Sequence, residues 1–528
     1  MPSTQVVIAE PFGAAGEAVL RDRGIDVVSC AGRGRGELLE ALRDADGLIV
    51  RSETGVDREL LSRAPRLRVV GRAGVGVDAI DVDAATEAGI VVVNTPSANT
   101  IAATEHTFAL ILALMRNVPQ AYASLRAGQW ERSPYIGNEL YGKTLGIVGL
   151  GRIGGAVAIR ARAFGMNVVA HDPYVSQARA EALQAELAGL EELLESADIV
   201  TLHVPLTAHT RSMIDAHRLA KMKRSAVLIN CARGGVIDEE ALIAALDAGT
   251  IRAAAIDVVA QEPPPPGSSS ETLQRHAKTI ATPHLGGSTH EALERIAVEL
   301  AHDVADTLQG KPAAGAVNAP APSGAGAERV RAYVTVADRL GRLVPQLFED
   351  AVREPIRLHT GGDLAAVDAP PILAAFLAAL LQTTTERRVS IVNAHQVASE
   401  VGVSVEVVPD TQSSPFSSYI AILGGSHRIT ATVVSGEPRI VEIDRFELDA
   451  IPQGAWIVTR HEDVPGVVGR VGTILGDAGI NISTMQVARA PGSPLALMVM
   501  AIDRPPQREQ LEAMRSMAGM HRVDAAVF

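Results

Sequence analysis

The sequence predicts an α/β protein: two doubly wound parallel-sheet units, then an α+β domain and a small split-βαβ domain. Three observations carry this. Over the first 310 residues, short β-branched runs alternate with Ala-rich helical stretches in two successive sets. Uninterrupted apolar strands alternating with helices belong to parallel sheets covered on both faces. Beyond an Ala/Gly/Pro-rich stretch at residues 313–327, read as a linker, the texture changes to short strands punctuated by turn residues.

In the first set, residues 5–9, 26–29, 47–50, 67–70 and 90–94 read as strands. The second set is 144–148, 167–171, 198–202, 226–230 and 254–258. Residues 99–128, helical in period, predict one long connecting helix between the units, and 288–310 predict the helix that returns. The first unit is therefore expected to be discontinuous (1–98 with 291–318) around a continuous unit (99–290). An intervening α+β domain is expected over 319–453, helical across 330–381 and stranded from 389 to 447. Over 454–528 the order strand, helix, strand, strand, helix, strand predicts a ferredoxin-like fold. The Pro/Ser tract at 263–270 reads as an exposed loop.

Length and charge narrow the function. At roughly 150 residues per domain, 528 residues imply three or four domains. Aromatics are only 3%, so the cores must rest on Ala, Val, Leu and Ile. A net charge of -13 argues against nucleic-acid and anionic-membrane partners, and any anionic substrate needs a local basic pocket. The two cysteines, Cys30 and Cys231, make neither a disulfide framework nor a metal cluster. Each reads as a small buried hydrophobe in a protein of the reducing cytoplasm, and no metal is expected. The first residues lack a basic, then apolar, signal pattern. The apolar run at 372–381 is well short of the ~20 residues of a membrane span and reads as a buried helix.

Gly149-Leu-Gly-Arg-Ile-Gly154 follows a predicted strand and opens a predicted helix near Arg152. That context gives a GxGxxG pattern its mechanism. Gly149 permits the tight turn, Gly151 lets a pyrophosphate approach the backbone, and Gly154 lets the helix pack on the strand. The pyrophosphate then meets unpaired N–H groups at a helix N-terminus. The next strand ends at Asp172, where a carboxylate can accept from both ribose hydroxyls and repel a 2′-phosphate. NAD is therefore the expected cofactor.

Three further motifs come just after predicted strands of the same unit, where open parallel sheets bind ligands. They are Asn230-Cys-Ala-Arg-Gly-Gly235, Gln261-Glu-Pro263 and Thr282-Pro-His-Leu-Gly-Gly-Ser288. A hydroxy-acid oxidation needs a base for the hydroxyl proton and a cation for the carboxylate. A histidine oriented by a carboxylate, with an arginine nearby, supplies both. On these motifs the sequence resembles the D-2-hydroxyacid dehydrogenase family, in its long form with intervening and ACT domains. The resemblance implies Arg233 at the substrate carboxylate, His284 as general acid/base and Glu262 as its partner acid. It implies NAD contacts at Gly149, Gly151, Arg152, Ile153, Gly154, Asp172, Val204, Cys231, Ala232, Arg233, Asp257, His284, Gly286 and Gly287.

The resemblance also implies 3-phospho-D-glycerate as substrate. A phosphorylated acid needs more than one cation. Arg51-Ser52 and Gly71-Arg72-Ala-Gly74 each follow a strand of the first unit and are the expected substrate residues. Arg132 matches a position that a neighbouring subunit contributes. Val75, Gly287 and the long 263–270 loop depart from the common pattern, where relatives carry Thr, Ala and a Pro-Leu pair.

In the tail, Arg460-His-Glu-Asp-Val-Pro-Gly466 precedes a helix, and Asn481 follows it. This resembles an ACT domain, with His461, Asp463, Gly466 and Asn481 as effector residues and L-serine as the implied effector. Arg439 and Arg445 are anion candidates in the intervening domain. A homo-oligomer is implied, dimeric through the NAD unit and tetrameric through the regulatory domains. Two other readings stay open: a dehydrogenase or reductase for an unphosphorylated acid such as glycerate or glyoxylate, and an NAD-sensing corepressor without turnover.

Overall fold

The structure is a computed structural model that describes residues 3–320, 326–348, 354–367, 369–382, 385, 388–411 and 414–528. It divides into two compact units, Met1–Asn94 with Leu300–Phe528, and Thr95–Glu299.

The first unit begins with five parallel strands: Gln5–Ile8, Asp26–Ser29, Gly47–Val50, Val69–Arg72 and Val91–Asn94. Their spatial order is second, first, third, fourth, fifth. The winding reverses between the first and third strands, so the crevice at their carboxyl ends lies between Glu10 and Arg51. The fourth strand runs two residues later than the 67–70 expected. The returning helix His290–Leu308 supplies Leu300 and Val304, which pack on Gly71. The expected linker is partly ordered against this sheet: Asn94 N–H donates to Gly315 O at 2.9 Å and Val317 N–H to Val92 O at 2.8 Å. Its residues 321–325 lie outside the described residues.

The Thr95–Glu299 unit holds seven parallel strands, in spatial order third, second, first, fourth to seventh. They are Thr144–Val148, Asn167–His171, Glu186–Leu187, Ile199–Leu202, Val227–Asn230, Ala253–Ile256 and Thr279–Ala281. Glu186–Leu187 and Thr279–Ala281 were not expected; both are short edge strands with little hydrophobic pattern. The expected single helix over 99–128 is two, Thr100–Met115 and Val118–Arg126. Asn117 between them is left-handed (φ 54), and Pro119 in the next first turn has no N–H to continue the ladder. The 263–270 tract is not wholly exposed. Ser268 caps the helix Ser269–Arg275, and Ser270 in its first turn is buried.

In the remainder of the first unit, the described part of 330–381 is not all helix. Ile356–Gly362 is a strand, because Ile356, Leu358 and Thr360 alternate inward with outward Arg357 and His359. It lies between Ala327–Leu347 and Pro370–Leu381, the second of which is the buried apolar run. The six-stranded sheet pairs Ile356–Gly362 in parallel with Val405–Asp410 and antiparallel with Ser418–Gly424. His427–Val434, Glu437–Ile443 and Phe446–Ala450 complete it.

The last four strands, Ala455–Glu462, Ile482–Arg489, Leu495–Ile502 and Met520–Val527, form an antiparallel sheet in the order second, third, first, fourth. Helices Val467–Asp477 and Arg508–Arg515 cover one face. The other face is not solvated. Trp456, Val458, Leu497 and Val499 join Leu340, Leu347 and Phe376 in one core with the six-stranded sheet. Gln346 pairs with the Val527 backbone in both directions, at 2.8 and 3.0 Å, which satisfies an otherwise open sheet edge. Among the described residues no helix is long and apolar enough to cross a membrane.

Trp456→Ala removes a fully buried aromatic from this shared core and is expected to cost about 3–5 kcal/mol. Urea unfolding should show both sheets melting in one earlier transition. Loss of the ACT-like sheet alone would contradict the shared core.

Candidate active site

Strand Thr144–Val148 ends at Gly149, which turns back at φ 94. A Cβ there would strike the His203 carbonyl, and one at Gly154 the Gly149 carbonyl, so both glycines are forced by close backbone approach. At Gly151 a Cβ meets nothing, so the loop faces open space. Helix Arg152–Ala163 starts from Gly151 with no side-chain cap, leaving its first N–H groups for an anion. Asp172 sits beside this turn: its Oδ2 accepts from Leu150 N–H at 2.8 Å and its Oδ1 from Tyr174 N–H at 2.9 Å. The winding reverses between this strand and Ile199–Leu202, so Gly149 and Val204 border the crevice. Asn99 Oδ1 and Thr100 Oγ1 are buried without hydrogen-bond partners, and Asn99 lies against Gly287. An uncapped helix start, an open glycine, a flanking carboxylate and orphaned acceptors fit a dinucleotide.

After Val227–Asn230, the buried Asn230 side chain bridges the turn. It accepts from Ala232 N–H and donates to Arg233 O, each at 3.0 Å, and so fixes where Arg233 stands. Arg233 is half-buried and donates to Ala232 O. The Cys231 thiol is pushed up to about 12 by burial, so it stays uncharged.

Asp257 follows strand Ala253–Ile256 and is buried. Its carboxylate accepts from Leu285 N–H (2.7 Å), Gly286 N–H (2.8 Å), Thr282 Oγ1 (2.5 Å) and His106 Nε2 (3.1 Å). The expected NAD contact is thus engaged with the loop that follows strand Thr279–Ala281 and with His106. Burial alone would raise this carboxyl; the donors, led by His106 and Thr282, outweigh it and hold it below the ordinary aspartate value. The loop presents His284 in the left-handed region at φ 55, held by His284 N–H donating to Asp257 O at 2.8 Å. His284 Nδ1 lies 2.6 Å from Glu262 Oε2, and both side chains reach solvent. A carboxylate only accepts, so Nδ1 carries the proton and Nε2 has the free lone pair. His203 differs: burial lowers it to about 4, leaving it neutral against Thr201.

In the other unit, Glu10 organises the Arg51 loop. Its buried carboxylate accepts from the N–H groups of Arg51 (2.9 Å), Thr54 (2.9 Å) and Glu53 (3.2 Å). Burial raises this carboxyl, but those donors outweigh it and lower it. Ser52 is exposed on the same loop. Arg72 folds over Gly74 (φ 140), where any Cβ would collide with the guanidinium, and donates to Ala73 O at 3.0 Å. Arg132 is exposed.

In the tail Asp463 is exposed and ion-paired with Arg489 at 2.6 Å. Gly466 is left-handed at φ 93 and starts helix Val467–Asp477, and Asn481 is exposed. His461 is buried on the helix-covered face against Thr459, because its place in strand Ala455–Glu462 turns it inward. Arg439 pairs with Glu437 and Asp449. Glu10, Asn99, His106 and Glu239 are the residues of this arrangement that sequence reasoning missed. Their partners or neighbours lie far along the chain, and of the four only Glu239 closely follows a quoted motif, just after Gly235.

Residues 108–286 match the family described as D-isomer specific 2-hydroxyacid dehydrogenase, NAD binding domain. Residues 329–444 match the D-3-phosphoglycerate dehydrogenase intervening domain, and 455–518 the ACT domain. The chain is 42% identical to D-3-phosphoglycerate dehydrogenase of Bacillus subtilis, over 88% of this chain and 89% of that one. Against the enzyme of the same name from Methanocaldococcus jannaschii it is 40% identical over 98% and 99%. The structure of D-lactate dehydrogenase from Aquifex aeolicus, complexed with NAD and lactic acid, covers 58% of this chain and 96% of its own at TM-score 0.53 and 29% identity.

Asp257→Asn should destabilise the protein by about 1–3 kcal/mol near neutral pH, because buried donors lose a charged acceptor. The folded carboxyl is depressed, so its contribution is complete above the unfolded value of about 3.9 and is lost as pH falls through the folded one. Denaturation across a pH series should show the gap to wild type narrowing below about pH 4. A gap that widened there would contradict the assignment.

Proposed function

We infer the activity from one premise: the chain belongs to the D-3-phosphoglycerate dehydrogenase family. It is an NAD-dependent D-2-hydroxyacid dehydrogenase that oxidises 3-phospho-D-glycerate to 3-phosphooxypyruvate, the entry step of L-serine biosynthesis. The observation that carries the chemistry is the 2.6 Å contact between His284 and Glu262.

NAD, when bound, supplies the acceptor for the hydride from C2. His284 Nε2 takes the proton from the C2 hydroxyl, and Glu262 stabilises the imidazolium; such acid–base help is worth roughly 10²–10⁴ in rate. Arg233 grips the carboxylate and polarises the C2 oxygen. Gly149, Gly151, Arg152, Ile153 and Gly154 seat the pyrophosphate, and Asp172 takes the ribose hydroxyls. Val204, Cys231, Ala232, Asp257, Gly286 and Gly287 border the rest of the cofactor. Arg51, Ser52, Arg72 and Gly74 bind the phosphorylated acid.

Arg132 serves the substrate of a neighbouring copy. Exposed Tyr122, Leu125, Trp130, Ile136 and Tyr141 in the same stretch support self-association through this unit. A tetramer forms through the regulatory domains. L-Serine binds the ACT domain at Asp463, Gly466 and Asn481; its ammonium must displace Arg489 from Asp463. The inward imidazole of His461 takes no part. Two isolated cysteines suit a cytoplasmic enzyme.

His284→Ala should lower NADH formation from 3-phosphoglycerate by about 10²–10⁴-fold; unchanged turnover would remove His284 from the mechanism. Arg72→Ala should raise the KM for phosphoglycerate about 10–100-fold while affecting glycerate much less. Equal effects on both acids would favour an unphosphorylated substrate. L-Serine should slow the wild type, and Asp463→Asn should need more serine for the same effect.

A further inference from the structure

Glu239 opens helix Glu239–Ala248 and is 8% exposed. Asp238 already caps that helix, through Ala241 N–H, so Glu239 is free for another task. One of its oxygens accepts from Ala260 N–H at 2.7 Å. The other accepts from Ser270 Oγ at 2.7 Å and Ser269 Oγ at 3.1 Å. A buried carboxylate is costly unless hydrogen-bonded, and here three neutral donors and a helix N-terminus meet it.

These donors sit at the two roots of one loop. Ala260 stands two residues before Glu262, and Ser269 and Ser270 stand just past the exposed Gly267. Between the roots the loop carries Glu262, whose other oxygen accepts from Val259 N–H at 3.1 Å. Across from Val259 lies Gly234, where a Cβ would collide with the Val259 carbonyl. The Val259–Ala260 segment is therefore held between the turn that presents Arg233 and the carboxylate of Glu239.

We propose that Glu239 is a positioning residue for the oxidation: by tying both ends of the 260–270 loop to its helix, it sets Glu262 against His284. It touches neither substrate nor cofactor and acts through Glu262. This rests on the roles given above to Glu262 and His284. A small misplacement of a catalytic partner can cost as much as about 10²-fold in rate.

The test is a double-mutant cycle on the full-length enzyme, with Glu239→Ala made in wild type and in Glu262→Gln, and steady-state rates with 3-phosphoglycerate and NAD. Glu239→Ala is expected to lower kcat about tenfold or more in wild type, with both KM values within about twofold. In Glu262→Gln the same change should matter less than about twofold, because the residue it positions is already disabled. Glu239→Gln keeps an acceptor toward Ala260 and should recover most of kcat. If Glu239→Ala does not fold, the pair Ser269→Ala with Ser270→Ala carries the same cycle from the donor side. Equal losses in both backgrounds, or no loss of kcat in wild type, would overturn the proposal. Unchanged turnover in Glu262→Gln alone would instead overturn the role of Glu262.

Discussion

Everything at this site depends on one buried carboxylate at a strand end. Asp257 sits where the Ala253–Ile256 strand stops, and it gathers two backbone N–H groups, a hydroxyl and an imidazole. A charge in that position is tolerated because four donors meet the carboxylate. Three of the four donors come from the loop after the next strand and the fourth, His106, from helix Thr100–Met115, so satisfying Asp257 goes together with folding the loop that carries His284. That coupling accounts for a histidine held at a φ of 55, a conformation that non-glycine residues keep only when the surroundings over-determine it. The imidazole then meets Glu262 without either side chain being buried.

The same device recurs. Glu10 gathers the N–H groups of the Arg51 loop, Asn230 bridges the Arg233 turn, and Glu239 ties the loop of Glu262. Arg51, Arg233, Glu262 and His284 each stand on an irregular segment after a strand of a parallel sheet. Behind each stands a nearly buried polar residue that bonds to the backbone of that segment. The reactive groups keep access to solvent while their backbones are fixed.

What was legible in the sequence follows from range. The turn at Gly149, the acid at Asp172, the Arg233 turn and the contact of Glu262 with His284 belong to local patterns attached to strands, and strands of Val, Ile and Leu announce themselves. Supporting residues do not: His106 lies 151 positions from Asp257, and Glu10 lies 41 from Arg51. Nothing in either neighbourhood marks the partner. The long helix over 99–128 failed because a hydrophobic period continues across Asn117, whose left-handed backbone no period records. The strand at Ile356–Gly362 was hidden between two strongly helical stretches. His461 followed a motif, whereas strand alternation, which turns it inward, was the better guide. The shared core around Trp456 was invisible for another reason: two domains that read as separate textures bury the same apolar faces.

The interrupted first unit has a consequence for how the polypeptide is made. Its five-stranded sheet is synthesised by residue 94, yet Gly71 packs on Leu300 and Val304, and Val92 N–H donates to Asn318 at 2.8 Å. Those partners leave the ribosome some two hundred residues later. The Thr95–Glu299 unit is contiguous and holds its own core, so it can close while the chain is still growing. The nascent amino-terminal sheet must wait, incompletely covered, until the returning helix emerges. Translation order therefore lets the Thr95–Glu299 unit close first and leaves the five-stranded sheet as the segment most in need of chaperone protection.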